Sequence, residues 1–530
     1  MPRQLPDAKL SEHGVAEQSV AAPAASPARL LYVNVLLLAT CGLIYELLAG
    51  TLGSYLIGDS VTEFSLVIGL YLSAMGVGAW LSRHIEGNLV RHFIEIELLV
   101  ALVGGVSSPA LYFAFAHVRH FQVVLLGFVF AIGSLVGLEL PLLMRLMQSQ
   151  VAFKDLVSRA LSFDYAGALA ASLLFPLVLV PELGLVRTSL LVGLGNASVA
   201  LWGTWLFRSQ LPRVAGLRGR ALLVMALLLA GVGFASQLTT LAENQVYADE
   251  IVLARNSRYQ RIVVTQSRAG FQLFLNGNLQ FAAADEYRYH EALVHSALAA
   301  ATAAGGLPPR RVLILGGGDG LALREVLAHR SVEAVTLVDL DPAMTELGRR
   351  FAPLAALNRY AFEDPRVRVV NEDAMIWLET APLGWDAAIV DFPDPNSFAL
   401  GKLFTRRFFQ LLGQHLSPDA AISVQATSPL FARHSYWCII ETLRAAGFVV
   451  QPYHVAVPSF GEWGFALAVQ HEFATPAAPP ADVPLRFLNQ AALASMFQFS
   501  ADMAPVEVDI NRLDNQRLVR YYESEWRHWQ

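Results

Sequence analysis

The chain has 530 residues, of which 55% are hydrophobic and only 15% are charged, and its mean hydropathy of +0.44 is high for a soluble protein. This length exceeds what one ordinary hydrophobic core organises, so two or more domains are expected. The net charge of −6 argues against a nucleic-acid partner. Two cysteines, Cys41 and Cys438, are too few for a disulfide framework or a cysteine metal site.

The first segment, about residues 1–28, is rich in Ala and Pro and is interpreted as a disordered tail. No compact apolar run followed by small residues comes early enough for the layout of a signal peptide.

Residues 29–240 are predicted to form an all-α multi-pass membrane domain. Apolar runs of roughly 20 residues, long enough to cross a bilayer, follow one another there. Several contain small residues, as in "YLSAMGVGAW" and "LVGLGNAS", which allow helices to approach closely. Buried helices of a soluble protein are not expected in this number and length. The seven predicted spans cover about 30–52, 65–82, 93–116, 122–144, 160–181, 188–207 and 220–238.

The basic residues are divided unevenly between the loops that join these spans. Twelve lie in one set of alternate loops, whereas only Arg119 and Arg187 lie in the other set. The positive-inside rule therefore places the N-terminus in the cytoplasm, and seven spans would place the C-terminal half outside. The twelve are Arg3, Lys9, Arg29, Arg83, Arg91, Arg145, Lys154, Arg159, Arg208, Arg213, Arg218 and Arg220.

Four acidic residues, Glu46, Glu97, Glu139 and Asp164, lie within or near the predicted spans. Charge in a bilayer is costly, so such residues suggest a cation path or cation site. The alternative is that they hydrogen-bond between helices or are held in the neutral form.

The pattern changes after residue 245, and residues 245–475 are predicted to form an α/β domain of the Rossmann type. Two short strands joined by Asn276-Gly277 predict a β-hairpin with a type I′ turn, and a helix follows that Asp285 is expected to cap. Apolar strands then alternate with helices, which is typical of a doubly wound, mostly parallel sheet. Ligands of such sheets bind over the carboxyl ends of the strands.

Glycines and acids follow the predicted strands at that edge. The turn "GGGDG", Gly316 to Gly320, lies between a strand and a helix, and Asp339 ends the next strand, where it can bind ribose hydroxyls. No P-loop lysine is present, and Asp319 within the turn would repel a pyrophosphate. A nucleoside that carries a positive charge, such as the sulfonium S-adenosylmethionine or its decarboxylated form, fits this turn better. Asp373, Asp391 and Asp394 follow later strands, the last two within "WDAAIVDFPDPNS".

The residues from about 247 to 470 resemble the spermidine/spermine synthase family of polyamine aminopropyltransferases. The resemblance rests on "YQRIVV", "LNGNLQFAAADEYRYHE", "LILGGGDGLALREVLAHRSVEAVTLVDLD", "DPRVRVVNEDA" and "IVDFPDP", which occur in the order of the family's motifs. The membrane half is absent from soluble family members, so the chain looks like a membrane-fused bacterial branch. This implies a location in the bacterial inner membrane.

The resemblance also implies roles for individual residues. Asp391 would be the proton acceptor and Asp319 would hold the ammonium of the aminopropyl chain. The residues that would hold the nucleoside are Gln260, Gly316, Gly318, Asp339, Asp373 and Ala374. The residues that would form the pocket for the acceptor amine are Asp285, Tyr289, His290, Asp391 and Asp394. A capping role for Asp394 and a surface position for His290 are the alternatives.

The implied reaction transfers the aminopropyl group of decarboxylated S-adenosylmethionine to putrescine, giving spermidine and methylthioadenosine. The nucleoside is a co-substrate, and no cofactor or metal is expected. The chain departs from the family pattern mainly around the acceptor, where Pro393 replaces a common Ser and Phe460 a common Tyr. These departures surround the acceptor rather than the nucleoside.

Two other functions stay open at this point: a methyltransferase or related sulfonium-nucleoside enzyme, and a polyamine transporter or sensor with a regulatory nucleoside domain. The face of the membrane that carries the catalytic domain is also open, since the donor is made in the cytoplasm and the loop charges favour the other face. Residues 476–530 are predicted to be a Pro/Ala linker and a helical tail that packs on the α/β domain. Soluble relatives commonly form dimers or tetramers, which makes a homo-oligomer an expectation.

Overall fold

The computed structural model describes residues 26–57, 60–148, 153–238 and 247–526. The predicted disordered tail lies outside the described residues up to position 25, and its last three residues belong to the first helix. The predicted boundary between the two halves, near residues 240–245, also lies outside them.

The described N-terminal half is helical, as predicted. A π-helical segment, Phe175–Leu183, joins the sixth and seventh of its helices, and short 3₁₀ turns follow the second and the seventh. The helices are α1 (Ser26–Ile57), α2 (Ser60–Leu81), α3 (Leu89–Gly105), α4 (Ser107–His117), α5 (Phe121–Met147), α6 (Phe153–Leu174), α7 (Gly184–Leu206) and α8 (Val214–Gly233).

Six stretches of the described residues are long and apolar enough to cross a membrane. One of them, Lys154–Leu206, has 53 residues and contains the two predicted spans 160–181 and 188–207. It is divided where Gly184 takes a φ of +72°. The helices on the two sides have 22 and 23 residues, and each packs against α1.

Small residues bring the helices into backbone contact, as the sequence predicts. A Cβ atom on Gly78 of α2 would lie 2.0 Å from the backbone O of Ser134 in α5. A Cβ atom on Gly193 of α7 would lie 2.6 Å from the backbone O of Ala101 in α3. Larger residues at these glycines would force the helix pairs apart.

The C-terminal half begins with a small antiparallel sheet of β1 (Glu250–Asn256), β2 (Arg261–Ser267), β3 (Gly270–Leu275) and β4 (Asn278–Ala282). The hairpin turn is confirmed, because Asn276 and Gly277 alone separate β3 from β4 and have φ values of +49° and +83°. Positive φ at both residues defines the type I′ turn.

The main sheet has seven strands in the order β10-β11-β9-β8-β5-β6-β7. The five strands from β9 to β7 are parallel. At one edge of the sheet, β11 runs antiparallel to both of its neighbours, β9 and β10. The strands are β5 (Arg311–Gly316), β6 (Ala334–Val338), β7 (Val367–Val370), β8 (Trp385–Asp391), β9 (Leu416–Gln425), β10 (Val449–Val457) and β11 (Gly461–Val469).

Helices cover both faces of this sheet. In β8, Ala387 and Ile389 belong to the core on one face, whereas Ala388 and Val390 belong to the core on the other. This is the doubly wound arrangement that the sequence predicts. The helices are α9 (Glu286–Gly305), α10 (Leu321–Leu327), α11 (Pro342–Arg350), α12 (Ala352–Leu357), α13 (Ala374–Leu378), α14 (Phe398–Gly401), α15 (Arg406–His415), α16 (Arg433–Ala445), α17 (Gln490–Met496) and α18 (Arg517–Trp526).

The segment after the sheet packs on the α/β domain, as predicted. The carboxylate of Glu291 in α9 accepts hydrogen bonds from three successive backbone N–H groups of residues 486–488, at 2.7 to 2.9 Å. Further along, α18 packs on α16, and Leu518 and Val519 are fully buried.

Candidate active site

A cavity of about 840 Å³ lies over the carboxyl ends of the parallel strands. It brings together residues that are far apart in the chain, from Tyr259 before β2 to Trp526 in α18. With one exception, Asp285, every residue predicted for the site lines it. These residues are Gln260, Tyr289, His290, Gly316, Gly318, Asp319, Asp339, Asp373, Ala374, Asp391 and Asp394.

The glycine turn after β5 joins the strand ends tightly. Gly316 and Gly317 have φ values of +84° and +64°, which favour glycine. A Cβ atom on Gly316 would lie 2.2 Å from the backbone O of Asp391, and the N–H of Gly317 donates to that oxygen at 3.1 Å. The turn therefore packs directly on the end of β8.

Asp339 lies at the end of β6, facing the same turn. Its Oδ2 accepts a hydrogen bond from the N–H of Gly318 at 3.0 Å, and its Oδ1 accepts one from the N–H of Asp341 at 2.8 Å. Burial raises the pKa of Asp339 to about 7, although these two hydrogen bonds lower it. Gln260 lies beside this carboxylate and donates to Asp341 rather than to Asp339, at 3.0 Å.

Asp373 has two contacts at the next strand end. Its Oδ1 accepts from the N–H of Met375 at 3.0 Å and so caps α13. Its Oδ2 forms an ion pair with Lys402, which also lines the cavity. Asp373 therefore both caps a helix and lines the cavity, and Ala374, which also lines the cavity, lies directly after it. Lys402 was missed by sequence reasoning because it lies 29 residues further along the chain.

Asp319 lies within the glycine turn and accepts a hydrogen bond from the N–H of Leu321 at 2.8 Å. Burial raises the pKa of Asp319 to about 6, while the charge of His290 and the Leu321 N–H act in the opposite direction. A carboxylate here favours a cationic group of the ligand and disfavours an anionic one.

Asp391 and Tyr289 form a pair on the other side of the turn. The hydroxyl of Tyr289 donates to Oδ1 of Asp391 at 2.7 Å. Burial raises the pKa of Asp391, and the nearby charge of His290 and the Tyr289 hydrogen bond lower it in part. A carboxylate whose affinity for protons is raised above the ordinary value can take a proton from an ammonium group more readily.

His290 is buried beside this pair, so the surface position considered above is wrong. Its Nδ1 lies 2.9 Å from Oε2 of Glu286, whose two oxygens also accept hydrogen bonds from Arg324 at 2.9 Å. Burial opposes a charged imidazole, but the hydrogen bond and charge of Glu286 outweigh it and raise the pKa of His290 to about 9. The site therefore contains a buried cation near its acids.

Asp394 is held by three donors, none of which was predicted. Gln425 donates to Oδ1 at 3.1 Å, and Thr427 and Tyr522 donate to Oδ2 at 3.1 and 2.9 Å. Burial raises the pKa of Asp394, and these hydrogen bonds lower it in part. Gln425 is the last residue of β9, so its position at the carboxyl end of a parallel strand could have marked it as a site residue. Tyr522 lies 128 residues away, and no local pattern marks it.

Asp285 corrects two expectations. It occupies the position before α9, but its side chain makes no capping hydrogen bond, and it does not line the cavity. Its carboxylate instead accepts from the N–H and the hydroxyl of Ser459, at 2.7 and 2.9 Å. Asp285 therefore fixes the turn whose next residue, Phe460, faces the cavity.

The described residues contain no group of three or more His, Cys, Asp or Glu side chains that could hold a metal ion.

The glycine turn, Asp339 beside it and the half-buried carboxylates Asp319, Asp391 and Asp394 line one cavity and define a site for cationic ligands. The family model of the spermine/spermidine synthase domain matches residues 286–476. The chain is 50% identical over 496 residues to the polyamine aminopropyltransferase of Leptospira interrogans, covering 94% of this chain and 98% of that protein. It is 52% identical over 506 residues to polyamine aminopropyltransferase 2 of Ralstonia nicotianae, with the same shares covered. The chain belongs to the polyamine aminopropyltransferase family.

Among solved structures, a spermidine synthase in complex with the transition state analogue AdoDATO is 25% identical. The match covers 47% of this chain and 86% of that chain, with a TM-score of 0.43. The longer matches to the Leptospira and Ralstonia enzymes extend the resemblance beyond residues 247–470, so those relatives share the helical half as well.

Proposed function

We propose that this aminopropyltransferase makes spermidine by transferring the aminopropyl group of decarboxylated S-adenosylmethionine to putrescine. The observation that carries this proposal is the set of half-buried carboxylates Asp319, Asp391 and Asp394 that line one cavity. The aminopropyl chain has one ammonium group and putrescine has two, so both substrates bring cations to these carboxylates.

In the proposed complex, Asp339 and Asp373 bind the nucleoside with Gln260 and the glycine turn, and Asp319 binds the aminopropyl ammonium. Putrescine lies between Asp391 and Asp394. Its attacking nitrogen gives a proton to Asp391 and forms a bond to the aminopropyl carbon that is attached to sulfur. The C–S bond breaks, and its electron pair stays on sulfur, which leaves as neutral methylthioadenosine. Fixed carboxylates contribute by holding the nitrogen in line with the carbon.

Product analysis tests this reaction. Full-length protein in detergent is supplied with putrescine and either S-adenosylmethionine or its decarboxylated form. We expect spermidine and methylthioadenosine from the decarboxylated donor only, because Asp319 repels the carboxylate of the other. A methylated amine, or nucleoside binding without any product, would overturn the proposal. A series of diamines of different length, compared by kcat/KM, checks that putrescine is preferred.

We propose further that the helical half crosses the bacterial inner membrane seven times. Helices α6 and α7 are each long enough for one crossing, at about 33 Å. Apolar side chains on the outside of the bundle support contact with lipid, as at Val123 and Leu223, which are 70% and 71% exposed. A Cβ atom on Gly184 would lie 3.6 Å from Nδ2 of Asn256 in β1, so the turn between α6 and α7 lies on the side of the catalytic domain.

Seven crossings put the two ends of the chain on opposite faces. With the basic loops in the cytoplasm, the rule of positive charges predicts an outer catalytic face, whereas a cytoplasmic supply of the nucleoside predicts an inner one. Reporters active on only one side, fused at either end, decide both points. Opposite readings support seven crossings, equal readings support six, and the reading at the C-terminus identifies the catalytic face.

A further inference from the structure

Helix α18 forms a wall of the cavity on the acceptor side. Tyr522, Glu523 and Trp526 of this helix line it, although they follow the last strand of the sheet by more than 50 residues. They come from the segment that the sequence predicts only to pack on the domain. Its position therefore bears on which groups surround the amine.

The helix is fixed to the α/β domain at several points. Glu525 accepts hydrogen bonds from the N–H groups of His434 and Ser435, at 2.7 and 3.1 Å, at the start of α16. A carboxylate at a helix N-terminus is a stabilising contact. On the other side, a Cβ atom on Gly401 would lie 2.5 Å from Cγ2 of Val519. The wall is therefore a packed element of the fold.

Tyr522 is the residue of this wall that reaches the acids. Its hydroxyl donates to Oδ2 of Asp394 at 2.9 Å, the shortest of the three side-chain hydrogen bonds to that carboxylate. The side chain of Phe460 faces the same cavity but carries no hydroxyl. Gln425 also donates to the backbone O of Phe392 at 2.7 Å, so its position is set by the strand ends.

Aromatic rings continue the wall beyond Asp394. Tyr522 and Trp526 have ring centroids 5.7 Å apart, and Phe460 and Trp463 have centroids 5.1 Å apart. All four rings line the cavity. Aromatic faces suit both the methylene chain of a diamine and its ammonium ends.

We propose that α18 completes the acceptor site, and that Tyr522 is a positioning residue that holds the Asp394 carboxylate toward the ammonium of a linear diamine. This inference rests on the proposed function. The Tyr522 hydroxyl stabilises the charged form of Asp394 and, with Thr427, fixes its Oδ2, so that Oδ1, which accepts only from Gln425 among these donors, keeps a lone pair for the amine. Asp339 and Asp373, which face the nucleoside, have no hydrogen bond to this helix among the described residues.

The test is Tyr522→Phe in the full-length protein, since this change removes the hydroxyl and keeps the ring. We expect the KM for putrescine to rise roughly tenfold, as for the loss of one charge-assisted hydrogen bond. The kcat at saturating amine and the affinity for methylthioadenosine should change little. Loss of the donor should also move the acidic limb of kcat/KM for putrescine to higher pH, because it raises the pKa of Asp394.

Tyr521→Phe is the matched control, because Tyr521 precedes it on the same helix and its hydroxyl contacts Asp509, 3.3 Å away and outside the cavity. Melting temperatures of both variants are measured alongside. An unchanged KM and pH profile in Tyr522→Phe, or equal changes in both variants, would overturn the inference and reduce α18 to packing. A wild-type protein that transfers nothing to putrescine would instead overturn the proposed function.

Discussion

Buried carboxyl groups occur in both halves of the molecule, but their surroundings differ. Glu286 in the α/β half is 1% exposed, and its oxygens face Arg324 and His290 at 2.9 Å. Glu97 and Glu139 in the helical half are 0% and 3% exposed. Both oxygens of Glu97 and Oε1 of Glu139 lack a hydrogen-bond partner among the described residues.

The difference shows what each half does with an acidic residue. An ionised carboxylate without donors is costly to bury, whereas one that receives charged hydrogen bonds is maintained. The α/β half thus keeps Glu286 in its charged form, because the effect of burial, which raises its pKa, is outweighed by His290 and Arg324, which donate to it and lower that pKa. In the helical half, the neutral form, which is among the interpretations of these acids, is consistent with the lack of charged partners at Glu97 among the described residues.

The largest expected effect is at Asp391, whose proposed role requires it to gain and lose a proton. Asp391→Asn keeps the shape but cannot accept a proton, so the transfer rate should fall by roughly 100- to 10,000-fold. The affinity for methylthioadenosine should change little, because Asp339 and Asp373 are untouched. Steady-state kinetics with putrescine, beside a direct nucleoside titration, check this. Near-normal turnover would mean that the proton leaves by another route.

The difference between the buried acids of the two halves is tested by comparing the variants Glu286→Gln and Glu97→Gln. Removing the charge of Glu286 leaves Arg324 and His290 buried with one fewer anion, which should lower the free energy of unfolding by about 3 to 5 kcal/mol. Glu97→Gln should change it by less than about 1 kcal/mol, since no charged partner is lost. Midpoints of denaturant unfolding in detergent provide the measurement. Equal losses would show that the two acids are not in different states.

A smaller effect is expected at Asp319, where the charge is proposed to bind the ligand rather than to support the fold. Asp319→Asn should weaken binding of decarboxylated S-adenosylmethionine by about 1.5 to 3 kcal/mol, the range for a hydrogen bond to a charged group. Methylthioadenosine lacks the ammonium and should lose much less. Calorimetric titration of both ligands distinguishes this from a general disturbance of the turn, which would weaken them equally.

Asp339 is intermediate between the two kinds of acid, because it has hydrogen-bond donors but a pKa raised by burial to about 7. Ribose hydroxyls that donate to the charged form should lower this pKa on binding. At pH values between the pKa of Asp339 in the complex and its pKa of about 7 in the free protein, the affinity for methylthioadenosine should therefore rise by about tenfold per pH unit. Above this range the affinity should level off. Titration in buffers of different ionisation enthalpy should show proton release, and Asp339→Asn should remove the pH dependence.

The raised pKa of Asp339 also predicts how the stability of the fold changes with pH. A carboxyl whose pKa is higher in the folded state than in the unfolded state stabilises the fold below its unfolded pKa, and this contribution is lost as the pH rises to about 7. In the absence of ligand, the wild type should lose more stability than Asp339→Asn between pH 4 and about 7. Unfolding midpoints across this range provide the check.

Much of the fold follows from local patterns in the sequence. The alternation of strands and helices, the turn at Asn276-Gly277 and the glycines after β5 each depend on neighbouring residues, and the structure confirms them. Since ligands bind over the carboxyl ends of parallel strands, the sequence also predicted that Asp339, Asp373 and Asp391 lie at one site. These are positions where backbone geometry and periodicity decide the outcome.

The residues that sequence reasoning missed depend on contacts across long distances in the chain. Tyr522 reaches Asp394, Lys402 reaches Asp373, and Arg324 reaches Glu286, with no spacing rule to connect them. Asp285 was misplaced for a related reason. A good capping residue before a helix can bind a turn 174 residues further along instead.

The close packing of Gly316 on the end of β8 has a consequence for protein engineering. The backbone O of Asp391 receives the Gly317 N–H, while its side chain faces Tyr289. Substitutions that shift the backbone here, as a side chain on Gly316 would, should disturb donor and acceptor together, and so are poor starting points for changing the amine. Trp463 and Trp526 belong to β11 and α18, which are different elements from the strand ends that carry the glycine turn. Libraries confined to these two positions offer a route to longer or bulkier polyamines that leaves the nucleoside site intact.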